Sequence, residues 1–123
     1  MTYLEIFREI AQIPRASHHE ERIADYLCAF AAERGLDYSR DERHCVVIRK
    51  AASPGYEEAE PLVLLNHTDM VCVSDAGYDV PGPVCTEEYD EGDEHWMRAR
   101  HTSLGADNGI GLSMALAALD DDS

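Results

Sequence analysis

Apolar residues recur at helical spacing twice in the first third of the chain. Leu4, Phe7, Ile10 and Ala11 fall at i, i+3, i+6 and i+7, and Pro14 follows as a stop, which predicts an amphipathic first helix. Ile23, Ala24, Leu27, Phe30 and Ala31 form the stripe of a second helix. Ser17 at its N-cap with Glu20 at N3 marks the start, and Gly35 stands where a C′ glycine belongs. The period then shortens. Leu36-Asp37-Tyr38 alternates as a strand, Asp41-Glu42-Arg43 reads as a turn, and Cys45-Val46-Val47-Ile48 returns.

Beyond a polar loop from Ala51 to Glu60, Pro61-Leu62-Val63-Leu64-Leu65 is uninterrupted and apolar, the pattern of a strand buried on both faces. Asn66 to Glu94 reads as one long, acidic loop containing Pro81-Gly82-Pro83, and Trp96-Met97-Arg98-Ala99 as a short strand. Asn108 to Leu119 is a helix rich in Ala, Leu and Met, with Gly109 and Gly111 allowing close packing. This order predicts an α/β fold in which helices flank a mixed sheet. Three or four strands are too few to cover the last helix, which runs directly into Asp120-Asp121-Asp122-Ser123. The sheet is therefore expected to be incomplete, and the chain to be the N-terminal part of something larger.

Charge sharpens this picture. Of 123 residues, 25 are acidic and 10 basic, for a net charge of −15. That balance argues against nucleic acid, whose affinity rests on Lys and Arg, and against an anionic membrane surface. No stretch approaches the ~20 apolar residues of a membrane helix, and the first residues lack the order of a signal peptide. The acid is concentrated: Ala51 to Met97 holds twelve carboxylates and no Lys or Arg. This is the composition of a solvated loop face or of a rim that tolerates divalent cations. Cys28, Cys45, Cys72 and Cys85 show neither a C-x-x-C pair nor clustering, so reduced thiols are expected and a Cys-ligated zinc site is not.

Two segments can carry chemistry. His67 and Asp69, two apart after the apolar run, share a face at the carboxyl end of a strand, where open α/β sheets place ligands. An imidazole is a good ligand for zinc, and a neighbouring carboxylate can fix the ring. The plainer reading is a His–Asp pair at a strand end. Asp107, in the glycine-lined turn Leu104-Gly105-Ala106-Asp107-Asn108-Gly109-Ile110-Gly111, is either an N-cap aspartate or a carboxylate held to bridge two cations. A phosphate loop is not supported, since no Lys follows the glycines. His18 and His19 read as exposed in the first turn of the second helix. His44 and His95 lack partner spacing, Trp96 reads as core, and Met70 and Met114 as packing.

At these residues the sequence resembles a known family. Ile13-Pro14-Arg15-Ala16-Ser17, Glu20-Glu21-Arg22-Ile23-Ala24-Asp25-Tyr26-Leu27, Ile48-Arg49-Lys50-Ala51, His67-Thr68-Asp69-Met70-Val71 and the Leu104–Gly111 turn follow the order and spacing of aminoacyl-histidine (Xaa-His) dipeptidases. These are cytosolic two-metal exopeptidases. The resemblance implies a zinc-exopeptidase-like α/β/α sandwich, of which residues 1–123 are the N-terminal part of the catalytic domain, without the remainder and without the lid or dimerisation domain. It implies His67 as a ligand of one metal, Asp107 as the carboxylate bridging two, and Asp69 as the catalytic acidic partner that orients His67. The cofactors implied are two divalent ions, zinc with manganese or cobalt as alternatives, held roughly 3.5–4 Å apart to activate a water for dipeptide hydrolysis.

A small peptide substrate, a cytoplasmic location, a homodimeric full-length form and no nucleic-acid or membrane partner complete the expectation. The family's paired glutamates and late histidine ligand lie beyond Ser123, so the isolated chain is expected to be inactive. Three places depart from the family: Asn66 replaces a small residue, His101 stands where glycine is usual, and the pair His44-Cys45 replaces a Gly-Asn turn. Two other readings stay open. One is a non-catalytic truncated product or acidic binding module; the other is a different member of the wider group, such as an aminoacylase or tripeptidase.

Overall fold

A computed structural model describes all residues of the chain except 76, 78, 79 and 123. Helix α1 spans Tyr3–Ala11 and opens on a capping box, in which the Thr2 hydroxyl accepts from Glu5 N and the Glu5 carboxylate accepts from Thr2 N. Its buried side is Ile6, Phe7, Ile10 and Ala11, so Ile6 carries more of the stripe than the half-buried Leu4.

Helix α2 spans Glu21–Glu33 with Glu20 at the N-cap and no side-chain cap. The expected Ser17 capping box is therefore absent, and His18 and His19 precede the helix instead of forming its first turn. The buried stripe Ile23, Ala24, Leu27, Phe30 and Ala31 is as the spacing predicts. So is the exit: Gly35, at φ +64°, donates to Ala32 O at 3.1 Å while Leu36 N donates to Ala31 O at 2.9 Å. Those two bonds are a Schellman closure, which needs the left-handed backbone that glycine accepts.

Strands β1 (Asp37–Arg40) and β2 (Val46–Arg49) pair antiparallel, with Tyr38 opposite Ile48. Asp41 shapes their turn by accepting from Arg43 N and Cys45 N at 2.9 Å each. Pro61–Leu65 corrects the sequence reading. It forms no strand, and Leu62, Val63, Leu64 and Leu65 are 83%, 80%, 54% and 91% exposed. Among the described residues no strand pairs with it to bury it.

The acidic loop is also shorter than expected, because Thr86–Glu91 forms strand β3, antiparallel to β4 (Glu94–Ala99). Gly92, at φ +63°, makes the turn. Cross-strand charge holds this hairpin: Glu87 accepts from Arg98 at 2.5 Å and from Arg100 at 2.8 Å, and Glu88 pairs with Arg8 of α1. Trp96, expected in the core, and Met114, expected to pack, are both about half exposed, while Met70 is buried as expected.

Helix α3 spans Ala106–Asp120 and lies against α1. Ile6, Ile10, Ile23, Leu27, Phe30, Leu112 and Leu116 form one core, onto which Val46 and Ile48 pack. A second cluster joins Ala11, Met70 and Val84. Arg34 seals the end of α3, stacking at 3.5 Å over the Phe30 ring and donating to Asp120 Oδ1 at 2.5 Å. The α/β class holds. Among the described residues, however, the strands form two separate two-stranded ladders, and a single mixed sheet is not assembled. No described helix is long and apolar enough to cross a membrane.

Candidate functional site

The site forms where two backbone segments meet under the N-terminus of α3. One is residues 66–70, which follow the exposed apolar run. It lies parallel to the segment between α1 and α2: Met70 N donates to Arg15 O at 2.9 Å and Ser17 N to Met70 O at 3.3 Å. The other is the glycine turn that opens α3. Gly105 sits at φ +73° as the N-cap, and Asp107 and Asn108, joined by a cis peptide bond, depart from helical backbone before the regular helix begins at Gly109.

These turns bring the three sequence-predicted residues together. His67 Nε2 lies 3.1 Å from Asp107 Oδ1, forty residues away in sequence. On the other side of the ring, Nδ1 lies 3.1 Å from Asp69 Oδ1 and 3.2 Å from Asp69 O. The ring is thus held between two carboxylates, with Nδ1 toward Asp69 and Nε2 toward Asp107. Asp107 is not an N-cap, since Gly105 holds that position and α3 has no side-chain cap. Its side chain is 95% exposed, and that of His67 54%.

Charge in the site is set by these contacts. The carboxylate of Asp107, then that of Asp69, raises the His67 imidazole above its ordinary value. Asp69 is held below the usual carboxylate range, chiefly by the Ser17 hydroxyl, which donates to its Oδ2 at 2.5 Å, and then by His67. Ser17 thus belongs to the site, not to the start of α2. Sequence reasoning missed it, because Ser17-His18-His19-Glu20 is indistinguishable locally from a capping box.

Arg15 was also missed as a site residue. It is 1% exposed, and donates from Nη1 to Thr68 O at 3.0 Å and from Nη2 to Gly105 O at 2.7 Å. A second tie joins the same segments through Asn108 Nδ2, which donates to Asn66 Oδ1 at 2.9 Å. Asn66, a departure from the resembled family, is therefore accommodated by a partner.

The donor set suits a borderline divalent cation, being one imidazole nitrogen and one carboxylate oxygen. Two ligand atoms each about 2.1 Å from a tetrahedral zinc stand roughly 3.4 Å apart, and His67 Nε2 and Asp107 Oδ1 stand at 3.1 Å. The pair therefore fits as part of a metal site. It is only part: among the described residues no group of three or more His, Cys, Asp or Glu is placed to hold a metal. His95 and His44 have other partners. His95, read as lacking a partner, lies between Asp90 at 2.7 Å and Glu88 at 3.0 Å on the β3–β4 hairpin, and His44 lies beside Arg40.

Comparison with known proteins gives two matches that span almost the whole chain. It is 42% identical over 121 residues to the cytosol non-specific dipeptidase of Escherichia coli (strain K12), covering 96% of this chain and 24% of that protein. The crystal structure of an aminoacylhistidine dipeptidase from Vibrio alginolyticus superposes with a TM-score of 0.86 at 38% identity, covering 98% of this chain and 24% of that one. No protein-family model matches. The chain thus spans about a quarter of the length of the relatives it matches.

Proposed function

We propose that this homologue of dipeptidases forms the N-terminal part of a metallopeptidase catalytic domain and carries the first half of its metal site. In this reading His67 Nε2 would hold one divalent cation and the Asp107 carboxylate would be shared between two, zinc ions with manganese or cobalt as alternatives. Asp69 is the acidic partner that fixes the His67 ring through Nδ1, and Ser17 fixes Asp69. The bound cations supply activation of a water and neutralisation of charge developing at the scissile carbonyl. The substrate class is small peptides, dipeptides ending in histidine first among them. The setting is cytoplasmic, the complete form is a homodimer, and nucleic acid and membranes are not partners.

The observation that supports this most directly is the 3.1 Å approach of His67 Nε2 to Asp107 Oδ1 in a chain with 42% identity to a dipeptidase. Tight zinc sites use three or four protein ligands, and two are on hand, so weak binding and no turnover follow for these 123 residues alone. Calorimetry with Zn²⁺ is the test. Binding weaker than about 1 μM, abolished by His67→Ala and by Asp107→Ala but kept by His95→Ala, is the expected result. Hydrolysis of an Xaa-His dipeptide by the purified chain with zinc or manganese, or stoichiometric submicromolar binding, refutes the half-site.

A further inference from the structure

Arg15 is an anomaly in the core. Its side chain is fully buried, yet among the described residues no carboxylate pairs with it, and its Nε has no hydrogen-bond partner. Asp69 acts on it electrostatically but makes no ion pair with it; a buried guanidinium held only by carbonyls is costly, and an orphaned N–H adds to that cost. Local rules broken in this way concentrate where a fold serves function over stability.

What the guanidinium touches explains the exception. Nη1 donates to the carbonyl of Thr68, with Asp69 O at 3.4 Å, and Nη2 donates to the carbonyl of Gly105. The first two carbonyls lie within the His67–Asp69 segment itself, and the third lies two residues before Asp107. One planar fork therefore spans the two segments whose side chains meet at His67 and Asp107. The glycines of the turn fit around it. A Cβ on Gly105 would lie 2.6 Å from Nη2, and a Cβ on Gly109 would lie 2.8 Å from the same atom. Both distances are below any real Cβ contact, and Met70 Sδ and Phe7 Cε2 would be met as closely, so the two glycines leave room for the guanidinium together with the Met70 and Phe7 side chains packed beside it.

We propose that Arg15 is the positioning residue of this site, a clamp for which the glycine turn is shaped and which sets the approach of His67 to Asp107. The clamp itself rests on the geometry above; only its consequence for metal rests on the reading of the preceding section. Lysine keeps the charge but has no planar fork to join two carbonyl groups at fixed spacing, so it is not an equivalent substitute.

The test compares the metal-free 123-residue chain with Arg15→Lys and Arg15→Met by NMR. In the wild type, a nuclear Overhauser contact joins the His67 imidazole protons to the Asp107 β-methylene. In either folded variant that contact is lost, while contacts within the Ile6–Leu116 core remain. A merely structural arginine would lower the melting temperature and leave the contact intact in the folded fraction, and that result overturns the proposal. Should neither variant fold, the wild type decides. Its Arg15 Nη protons must exchange with solvent at least a hundredfold more slowly than those of exposed Arg98, and equal rates overturn the clamp. Titration with Zn²⁺ separates the two readings. A wild type that keeps the contact but binds no zinc defeats the metal site and leaves the clamp standing; a folded variant that keeps the contact defeats the clamp alone.

Discussion

The hydroxyl of Ser17 donates to Oδ2 of Asp69 at 2.5 Å, and the other carboxylate oxygen of Asp69 lies 3.1 Å from Nδ1 of His67. A serine between two helices thus controls, through one carboxylate, the ring that faces Asp107. Ser17→Ala is expected to raise the Asp69 carboxyl toward its ordinary value, which carbon-13 NMR titration reads directly. Asp69 is depressed in the folded state, so the stability it contributes is present above the unfolded pKa of about 3.9 and is lost as pH falls through the folded value. Ser17→Ala should lose about 1 kcal/mol at neutral pH, partial exposure keeping it at the low end for a bond to a charged group. Helix content by circular dichroism should not change, because Ser17 does not cap α2.

That last point shows how far a sequence pattern reaches. Thr2-Tyr3-Leu4-Glu5 and Ser17-His18-His19-Glu20 are the same capping signature, but only the first forms the box. At the second, Ser17 is taken by Asp69, fifty-two residues away, and Glu20 accepts from His18 N at 2.8 Å. A local rule has no term for that distant competitor. The amphipathic stripes and the Gly35 exit were legible because they depend on near neighbours alone. Strand β3 was missed because TEEYDE lacks apolar alternation and is held by Arg8, Arg98 and Arg100. Its signal was the two-residue Gly92-Asp93 turn, a hairpin dipeptide. His67, Asp69 and Asp107 were legible as residue types in a resembled pattern, whereas Arg15 stood in a resembled motif with nothing local to show that it is buried and joins their segments.

The β3–β4 hairpin should be most stable in mildly acidic solution. His95 sits opposite Asp90, and first that carboxylate and then Glu88 raise its imidazole above the ordinary value. Stability from a raised group is fully present below the unfolded pKa of about 6.5 and is lost as pH rises through the folded value. Glu88 is lowered, mainly by Arg8 and then by His95, so its share is lost as pH falls below the carboxylate range. Hydrogen-exchange protection across β3 and β4, relative to α1, should therefore peak between those limits. His95→Gln should remove the alkaline decline and leave the acid one.

His44 and His101 both have φ of +66°, and both occupy positions where the resembled family has glycine or a Gly-Asn turn. The backbone these positions need is thus the same, and histidine adopts it at a cost of roughly 1 kcal/mol. His44→Gly and His44→Ala both lose the ring contact with Arg40 at 2.8 Å, so the difference between them isolates the backbone. The glycine variant should be more stable than the alanine variant by about 1 kcal/mol, less the few tenths that glycine adds to unfolded-chain entropy. Thermal unfolding should separate the two by roughly 4 °C. Equal midpoints would show that the left-handed turn is not strained.

The unpaired run at Leu62–Leu65 should make the isolated chain associate. Leu62, Val63, Leu64 and Leu65 are all open to solvent, an uninterrupted apolar run. Its backbone groups, not paired in any ladder among the described residues, form a template for another strand. Against this stands the net charge of −15, which keeps copies apart. Leu65→Lys and Leu65→Glu resolve the competition, since the first lowers the net charge and the second raises it. If charge governs, analytical ultracentrifugation will show more association for the lysine variant and less for the glutamate. If the exposed apolar run governs, both will reduce it, and that is the outcome expected. Because Leu65 is 91% exposed, neither change should shift unfolding stability by more than about 0.5 kcal/mol. A loss of several kcal/mol would mean instead that this leucine is buried in solution.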